Sequence, residues 1–445
     1  MAHPLFGTDG IRGSAGTFPL DAETIRRVGA ALVKVMPGNG GKRVLIGRDT
    51  RESGEWIERE LAHGAGSSGA TVYSIGVAPT PAVAYLTRSL QFDSGAVISA
   101  SHNPYQDNGI KVFSGSGAKY SEHLEERIEE LVADPSWQPS RGDAAEVNAT
   151  DHLRAYLDHA REVLPRLERL GSLRLAVDCA NGAMTTVAPK LFREMGFDAI
   201  VLAASPDGRN INQGCGSTHP ESLAEAVVSS RCRLGVAFDG DGDRAIFVDA
   251  AGRILDGDHV LLMCAKQMKA EDRLRGNAVV ATVMSNIGLE LALQKLGIGL
   301  VRTTVGDKYV MEEMQKRNLS LGGEQSGHII FSDFLYTGDG LITAMNVLRT
   351  MAVTGRELAD LADDLQTYPQ VLLNVRVREK VDLKTIPQIA AAIEQVEHRL
   401  GANGRLLVRY SGTEPLLRVM LEGQNKEDID AWAREIAFQV KLSLG

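Results

Sequence analysis

The sequence predicts an α/β protein made of three similar mixed α/β domains followed by a smaller C-terminal α+β domain. Short apolar runs typical of buried strands alternate with segments typical of helices up to residue 367, a pattern that favours largely parallel sheets covered by helices. Beyond residue 370 the order changes to strand, helix, two strands and helix. The chain has 445 residues, too many for one hydrophobic core, so we expect two to four domains.

The first two blocks are predicted from apolar runs, each followed by a segment with helical periodicity. In the first block we predict strands at 43–47, 70–74 and 96–99 and helices at 52–64 and 81–90. In the second block we predict strands at 173–178, 199–202, 234–238 and 245–248 and helices at 183–195 and 219–229.

The same reading covers the rest of the chain. The third block is predicted to contain a strand at 278–282 and helices at 286–296 and 306–317. The C-terminal block is predicted to contain strands at 371–377, 404–409 and 415–421 and helices at 384–399 and 427–443. The first three blocks barely match one another in sequence, so their predicted similarity is one of structure.

Three breaks separate the blocks: a polar stretch at 134–151, the strand exit near Asp256, and the run Thr367-Tyr368-Pro369. We therefore predict four domains, at 1–152, 153–256, 257–368 and 369–445.

Composition excludes several classes of protein. Hydrophobic residues make up 44% of the chain and charged residues 24%, ordinary proportions for a globular protein. The net charge of −9 comes with no basic stripe, which argues against nucleic-acid binding. The four cysteines have no Cys-x-x-Cys spacing and are expected to be reduced, packed thiols. Because the sequence shows neither a signal-peptide pattern nor an apolar run of membrane-spanning length, we expect a cytoplasmic protein without a membrane partner.

A polar loop follows the predicted strand at 96–99. The apolar run stops at Ser99-Ala100-Ser101-His102-Asn103-Pro104, and a second short strand then carries Lys111. One loop therefore offers a hydroxyl, an imidazole and an ammonium group. Taken alone, Ser101 is as easily a turn residue as a nucleophile.

Three carboxylates alternate with glycines between the predicted strands at 234–238 and 245–248. The run is Asp239-Gly240-Asp241-Gly242-Asp243-Arg244. The repulsion among these carboxylates calls for a cation, and a small set of hard oxygen ligands suits Mg²⁺. An EF-hand is excluded because Arg244 stands where that loop needs Gly and Ala250 where it needs Glu.

The run Arg409-Tyr410-Ser411-Gly412-Thr413-Glu414-Pro415 lies between two predicted strands, and Arg418 follows on the second. Hydroxyls, backbone N–H groups and an arginine fork suit a phosphate group. The run lacks the Gly-Lys-Ser/Thr of a P-loop, and Ser-Gly-Thr also occurs in plain turns.

A glycine-rich loop, Gly322-Gly323-Glu324-Gln325-Ser326-Gly327-His328, offers a carboxylate, an amide, a hydroxyl and an imidazole. These groups are good partners for sugar hydroxyl or amino groups. By itself the loop is better explained as a flexible glycine loop.

Together these motifs and the run Gly7-Thr8-Asp9-Gly10-Ile11-Arg12-Gly13 resemble the α-D-phosphohexomutases over the whole chain. The resemblance implies that the four domains surround a central cleft and that each contributes one motif. The N-terminal run and the sequence at 324–328 are most similar to the branch of the family that acts on glucosamine phosphates. For such a protein we expect an intramolecular phosphotransferase of the isomerase class, interconverting glucosamine 6-phosphate and glucosamine 1-phosphate.

The resemblance also implies a phosphoserine mechanism. Ser101 carries a phosphoryl group, gives it to the bound hexosamine monophosphate, and takes back the other phosphate of the resulting glucosamine 1,6-bisphosphate. Mg²⁺ is expected on Asp239, Asp241, Asp243 and an oxygen of the phosphorylated Ser101.

Other residues are expected to bind the reacting groups. Lys111, Arg244 and Arg12 should steady the moving phosphoryl group. The proton of the attacking hydroxyl should pass to Lys111, His102 or His328, and His102 can equally serve to orient Ser101. The sugar is expected on Glu324, Gln325 and Ser326. The non-reacting phosphate is expected on Arg409, Ser411, Gly412, Thr413 and Arg418.

Other functions stay open on sequence grounds. Within the family the alternative is a phosphomannomutase/phosphoglucomutase. A metal-dependent sugar phosphatase would share the carboxylates but has no need of the 409–415 loop. A serine hydrolase is disfavoured because Ser101 lacks the flanking glycines of a nucleophile elbow. A non-catalytic sugar-phosphate-binding protein would carry no phosphate on Ser101. We expect a monomer or a homodimer.

Overall fold

The computed structural model describes residues 5–37, 41–137, 147–164, 170–411 and 415–445. The chain forms two compact units, one made of Met1–Met284 and Ile298–Asp364 and the other of Ser285–Gly297 and Leu365–Gly445. Each of the four sheets in the described residues draws its strands from one of the four predicted blocks. None of the described helices combines the length and apolar character needed to cross a membrane.

The first sheet has seven strands in the order β1-β2-β6-β5-β3-β4-β7. Its strands are β1 (Phe6–Gly7), β2 (Gly10–Ser14), β3 (Lys42–Arg48), β4 (Ala70–Val77), β5 (Ser94–Ile98), β6 (Asp107–Ser114) and β7 (Val147–Ala149). Its helices are α1 (Ala22–Val35), α2 (Gly54–Ser67), α3 (Thr80–Ser89) and α4 (Glu122–Ala133). Strand β3 is parallel to β4 and β5, whereas β6 returns antiparallel to β5 and carries Lys111. Every residue of β5 is buried, and Ser99 to Ser101, which follow the strand, are buried as well.

The second sheet has the order β12-β11-β10-β8-β9. Its elements are α5 (Leu153–Glu162), β8 (Arg174–Asp178), α6 (Ala188–Glu194), β9 (Asp198–Leu202), α7 (Glu221–Ser229), β10 (Leu234–Phe238), β11 (Ala245–Asp249) and β12 (Ile254–Leu255). The helix predicted at 183–195 is wrong in its first turn, which is a separate 3₁₀ turn at 183–186. Proline can occupy only the first turn of a helix, so Pro189 makes α6 begin at Ala188.

The third sheet has the order β14-β13-β15-β16. Its block contains α8 (Gly257–Ala270), β13 (Ala278–Thr282), α9 (Ile287–Lys295), β14 (Gly299–Thr303), α10 (Asp307–Arg317), β15 (Leu321–Gly323), β16 (Ile329–Phe331), α11 (Gly340–Thr354) and α12 (Leu358–Ala362). Helix α9 belongs to the second compact unit, where the Ile287 N–H donates to Glu422 Oε2 at 3.1 Å.

The last sheet has three antiparallel strands in the order β17-β19-β18. Its elements are β17 (Gln370–Arg376), α13 (Pro387–Leu400), β18 (Arg405–Tyr410), β19 (Leu416–Glu422) and α14 (Lys426–Leu444). The helix predicted at 384–399 begins later, at Pro387, again because proline favours the first turn. Val396, Val419 and Ile436 are fully buried in the core between the helices and the sheet.

Candidate active site

The serine loop and the acidic loop meet inside the first compact unit. The hydroxyl of Ser101 donates a hydrogen bond to Asp239 Oδ2 at 2.5 Å, although 138 residues separate the two in sequence. Both side chains are fully buried. Each loop follows a wholly buried strand, β5 for the serine and β10 for the aspartate.

Ser101 has an unusual backbone conformation. Its φ angle is +52°, in the left-handed region that residues other than glycine rarely adopt. Its N–H donates to Ser99 Oγ at 2.8 Å, and His102 Nδ1 lies 3.3 Å from its hydroxyl. Burial, together with the nearby Arg244 and Arg12, lowers the pKa of His102 to about 4. The imidazole is therefore neutral near pH 7.

The three aspartates predicted to bind the metal come together. Asp239, Asp241 and Asp243 each place a carboxylate oxygen within 4.8 Å of the others, and all three residues are buried. One oxygen of Asp241 accepts from Thr80 Oγ1 at 2.6 Å and from Lys111 Nζ at 2.8 Å. Its other oxygen has no hydrogen-bond partner in the described structure. A buried, oxygen-only donor set with an unsatisfied carboxylate oxygen fits a hard divalent cation such as Mg²⁺.

The surroundings of this cluster shift the pKa values of Asp239 and Asp243 in opposite directions. Burial and repulsion from the other two carboxylates raise the pKa of Asp239 well above its usual range. Burial also opposes ionisation of Asp243, but Lys111 and His328 outweigh it and hold the pKa of Asp243 well below its usual range. Asp243 is therefore a carboxylate, while Asp239 depends on additional positive charge to ionise.

Lys111 lies within the acidic cluster. Its ammonium is 2.8 Å from Asp241, 3.0 Å from Asp243 and 3.1 Å from Asp9, and the side chain is 1% exposed. Burial would lower the pKa of Lys111, but these carboxylates raise it well above its usual value. Lys111 is thus a fixed positive charge in this arrangement rather than a ready proton acceptor.

Two arginines flank the cluster. The Arg244 N–H donates to Asp239 Oδ1 at 3.1 Å, and its guanidinium lies 3.9 Å from Asp243. Arg12, on β2, donates to the carbonyl of Ala100 and pairs with Asp9. Both arginines lie beside the serine and acidic loops.

The glycine-rich loop borders the acidic loop directly. Arg244 and His328 form an antiparallel bridge, and the Ala245 N–H donates to Gly327 O at 3.1 Å. His328 Nδ1 lies 3.5 Å from Asp243, and its Nε2 accepts from the Gly338 N–H at 3.1 Å. Burial would lower the pKa of His328, but the carboxylates of Asp243 and Asp307 raise it.

The three residues predicted to bind the sugar differ in their surroundings. Glu324 is half-buried and accepts from the Gly306 N–H at 3.2 Å, and Ser326 is exposed. The amide of Gln325 donates to Asp256 Oδ2 at 3.0 Å. Because Asp256 caps α8, this contact braces the N-terminus of that helix.

The residues predicted to bind the second phosphate lie in the other compact unit. Arg409 and Arg418 are register partners on β18 and β19. Like charges directly opposite each other in a sheet are destabilising unless an anion or a carboxylate compensates. The Ser411 N–H donates to Leu416 O at 2.8 Å, and Gly412 and Thr413 lie outside the described residues.

Family models for phosphoglucomutase/phosphomannomutase match the chain in order. Domain I matches residues 3–138, domain II 154–252, domain III 256–368 and the C-terminal domain 372–439. The chain belongs to the phosphohexomutase family. The predicted family and the predicted fold of three α/β domains plus a smaller C-terminal domain are thereby confirmed.

Relatives of this phosphohexomutase extend over its whole length. It is 47% identical to the phosphoglucosamine mutase of Geotalea uraniireducens, over 99% of this chain and 98% of the relative. It is 48% identical to the phosphoglucosamine mutase of Solibacter usitatus, over 100% of both chains.

Solved structures share the fold of the phosphohexomutase. A phosphoglucomutase/phosphomannomutase family protein of Burkholderia thailandensis superposes with a TM-score of 0.82 at 24% identity, over 99% of this chain and 98% of the other. The Aspergillus fumigatus N-acetylphosphoglucosamine mutase in complex with GlcNAc-6P and magnesium gives a TM-score of 0.67 at 17% identity, over 99% and 96% of the two chains.

Several residues of this phosphohexomutase site were not predicted. Asp49 and Arg51 underlie the serine loop, Thr80 binds Asp241, and Asn212 donates to the carbonyl of Ser101 at 2.9 Å. A signal for the first two was present, because they directly follow the predicted strand at 43–47 and the ends of parallel neighbours meet at one sheet edge. Thr80 and Asn212 carry no comparable pattern in the sequence.

Proposed function

We propose that this phosphohexomutase is a phosphoglucosamine mutase that interconverts glucosamine 6-phosphate and glucosamine 1-phosphate. The observation that carries the proposal is the contact of the Ser101 hydroxyl with the buried Asp239, Asp241 and Asp243 cluster. It occurs in a chain that is 47–48% identical, over nearly its full length, to proteins of that name. A serine beside a cation site is what a phosphoserine carrier requires.

In the first half of the reaction, the phosphoryl group moves from phosphorylated Ser101 to the free hydroxyl of the bound hexosamine phosphate. The bond from phosphorus to Ser101 Oγ breaks, and a bond to the sugar oxygen forms, giving glucosamine 1,6-bisphosphate. In the second half, a bond forms from Ser101 Oγ to the phosphorus of the other phosphate and the bond from that phosphorus to the sugar oxygen breaks. The sugar oxygen takes up a proton, and the isomer is released. The proton lost by the sugar hydroxyl is proposed to pass to His102 or His328. Lys111, the third candidate from the sequence, is held protonated by the surrounding carboxylates.

The charged residues around Ser101 have electrostatic roles in this scheme. Lys111, Arg244 and Arg12 are proposed to steady the phosphoryl oxygens during transfer, because their charged groups lie beside the acidic cluster and the serine loop. A magnesium ion, when held by Asp239, Asp241, Asp243 and a phosphoserine oxygen, supplies further neutralisation of the phosphoryl charge. His102 is the neutral imidazole nearest to the Ser101 hydroxyl among the proton acceptors named above.

Binding of the rest of the substrate is assigned to two loops. Glu324, Gln325 and Ser326 are proposed for the sugar ring. Arg409, Ser411, Gly412, Thr413 and Arg418 are proposed for the phosphate that does not react, since arginine forks and backbone N–H groups suit phosphate oxygens. This loop must bind a phosphate at either end of the sugar, because the bisphosphate must present both phosphates to Ser101 in turn.

Further properties stay predictions. These are the domain boundaries after 152, 256 and 368, the monomeric or homodimeric state, and the cytoplasmic location.

A substrate panel tests the function. The purified protein is supplied with Mg²⁺ and the 6-phosphates of glucosamine, N-acetylglucosamine, glucose and mannose, and both the 1-phosphate product and inorganic phosphate are measured. We expect the highest kcat/KM with glucosamine 6-phosphate and little free phosphate. A preference for glucose or mannose 6-phosphate would instead indicate a phosphomannomutase/phosphoglucomutase, and release of phosphate in step with substrate loss would indicate a phosphatase.

A further inference from the structure

Arg51 lies beneath the serine loop and none of the roles assigned above uses it. The residue is 2% exposed, and its Nε donates to Asp49 Oδ2 at 2.8 Å in an ion pair whose two side chains are completely buried. A buried arginine is unfavourable unless its remaining N–H groups are also satisfied. The way in which they are satisfied indicates what the residue does.

The remaining N–H groups of Arg51 bind the backbone of the serine loop. They donate to the carbonyl oxygens of Ser101 at 2.9 Å, Asn103 at 2.8 Å and Asp107 at 2.9 Å, and to that of Pro104. A single planar guanidinium therefore ties together the carbonyl groups of the loop from its serine to the start of β6. A lysine ammonium has fewer donors and no fixed fork, so it cannot reproduce this set of contacts.

The partner of Arg51 extends the same network to the N–H of the serine. Asp49 Oδ2 accepts from Ser99 Oγ at 2.6 Å, and Ser99 Oγ accepts in turn from the Ser101 N–H at 2.8 Å. Both backbone polar groups of Ser101 are thus held, its carbonyl directly by Arg51 and its N–H through Ser99. A left-handed φ of +52° at a serine persists only where the surroundings impose it.

We propose that Arg51 is a positioning residue for phosphoryl transfer, acting with Asp49 and Ser99 to hold Ser101 in the backbone conformation that directs its hydroxyl toward the acidic cluster. The proposal rests on the proposed function. Arg51 acts through the loop and touches neither the reacting atoms nor the substrate. Its removal should therefore lower turnover and leave substrate affinity nearly unchanged.

The test is Arg51→Lys, with kcat and KM measured for glucosamine 6-phosphate and each rate divided by the phosphorylated fraction of Ser101 from intact mass. Because a misplacement of about 1 Å can cost roughly 100-fold in rate, we expect kcat to fall about 10- to 100-fold. We expect KM to change less than about threefold, since the groups that bind the substrate stay in place. Backbone amides at 101–104 should exchange hydrogen faster than in the wild type.

Arg27→Lys is the matched control. Arg27 also donates to four backbone carbonyls, those of Leu131, Val132, Asp134 and Trp137, but it braces the end of α4 and contacts no residue of the site. We expect it to lower the thermal midpoint while kcat stays within about twofold of the wild type. If the two variants lose kcat equally, or if Arg51→Lys keeps wild-type kcat, the positioning role is wrong.

Ser99→Ala provides a second route if Arg51→Lys does not fold. It removes only the bridge from Asp49 to the Ser101 N–H, and we expect kcat to fall several-fold, about the effect of one lost hydrogen bond, with KM unchanged. Wild-type kcat in Ser99→Ala would overturn the proposal. A failure of the proposed function is distinguishable, because the variants are compared on whichever sugar phosphate the wild type converts, and the relative rates still report on the loop.

Discussion

The serine loop and the acidic loop both follow fully buried strands, but they are held in opposite ways. In the serine loop, which spans residues 99–107, the backbone is bound by buried donors, and Arg51 alone contacts four of its carbonyl groups. In the acidic loop, residues 239–244, one carboxylate oxygen of Asp241 and one of Asp243 have no hydrogen-bond partner within the described chain. The backbone carbonyls of the first loop are satisfied by a side chain from outside the loop, whereas the second loop keeps two carboxylate oxygens without a hydrogen-bond donor.

The difference indicates a division of labour between the two loops. A loop with satisfied polar groups holds its nucleophile in one place before any ligand arrives, which is the preorganisation that phosphoryl transfer depends on. A loop with unsatisfied buried carboxylates is stable only with added positive charge, which Lys111 supplies in part. We therefore expect substitutions in the serine loop to affect turnover and those in the acidic loop to affect metal dependence.

The largest expected effect is at Ser101. Ser101→Ala removes the proposed phosphate carrier without adding bulk, so we expect mutase turnover to fall about 1000-fold or more while the fold is kept. Turnover of glucosamine 6-phosphate and the mass of the intact protein provide the measurement. The control is Ser121→Ala, at a serine before α4 whose side chain makes no capping bond. Wild-type turnover in Ser101→Ala would show that Ser101 is not the phosphate carrier.

The second-largest expected effect is on the Mg²⁺ requirement, which should depend on the acidic loop and not on the serine loop. Chelation should stop turnover and Mg²⁺ should restore it. Asp241→Asn should raise the Mg²⁺ concentration for half-maximal turnover by about 10- to 100-fold, because it removes the charge of a carboxylate that has one oxygen without a hydrogen-bond partner. Asp249→Asn is the control, since Asp249 is equally buried on β11 but binds Arg253 at 2.9 Å. An unchanged Mg²⁺ requirement in Asp241→Asn would contradict the metal assignment.

The positions of both loops could be predicted because the signals are local. A run of apolar residues that ends at serines or aspartates marks the end of a buried strand, as at β5 and β10. The network that braces the serine loop could not be predicted in the same way. Arg51 is 50 residues from Ser101 in sequence and reaches its carbonyl only because β3 and β5 are parallel neighbours.

Two side chains show what a sequence motif can and cannot predict. Lys111 was expected to steady a phosphoryl group, and the structure places its ammonium among carboxylates, because a buried cation requires opposite charges around it. Gln325 was expected on the sugar, and its amide contacts Asp256. In both cases the sequence indicates the chemical group, but tertiary packing decides its partner.

The third effect concerns a region that belongs to neither loop. Arg409→Ala should raise KM for glucosamine 6-phosphate roughly 10-fold or more, since a charge-assisted hydrogen bond to phosphate is worth about 1.5–3 kcal/mol. The Mg²⁺ requirement should not change. Arg376→Ala is the control, an exposed arginine on β17 whose register partner is Leu416. An unchanged KM, together with unchanged hydrogen exchange at 409–411 on adding substrate, would exclude a phosphate-binding role for Arg409.

The smallest expected effect is on the pH dependence of stability, and it concerns the N-terminus of α11, which braces the acidic loop. The Gly340 N–H donates to Gly242 O at 3.0 Å, and Asp339 caps the helix by accepting from the Ile342 N–H at 2.9 Å. Asp339 also accepts from the hydroxyl of Tyr156 at 2.9 Å. Burial raises the pKa of Asp339 to about 7, although these hydrogen bonds act to lower it. The acidic loop therefore rests on a carboxyl group that titrates near neutral pH.

The sign of the resulting pH dependence follows from proton binding. Between the ordinary pKa of 3.8 and about 7, the folded protein keeps a proton on Asp339 that the unfolded chain releases. The free energy of unfolding should therefore fall as pH rises through this window, by up to about 1.4 kcal/mol per pH unit. Asp339→Asn keeps an oxygen for the cap and removes the titration, so between about pH 5 and pH 8 its stability should improve relative to the wild type by about 1–3 kcal/mol. Urea unfolding at several pH values measures this difference.

Tyr156→Phe removes a donor that favours the carboxylate, so it should raise the pKa of Asp339 further and extend the loss of stability to higher pH. Parallel pH profiles for the wild type and Asp339→Asn would mean that the carboxyl is already ionised in the folded protein, and the acidic loop would then rest on a permanent charge.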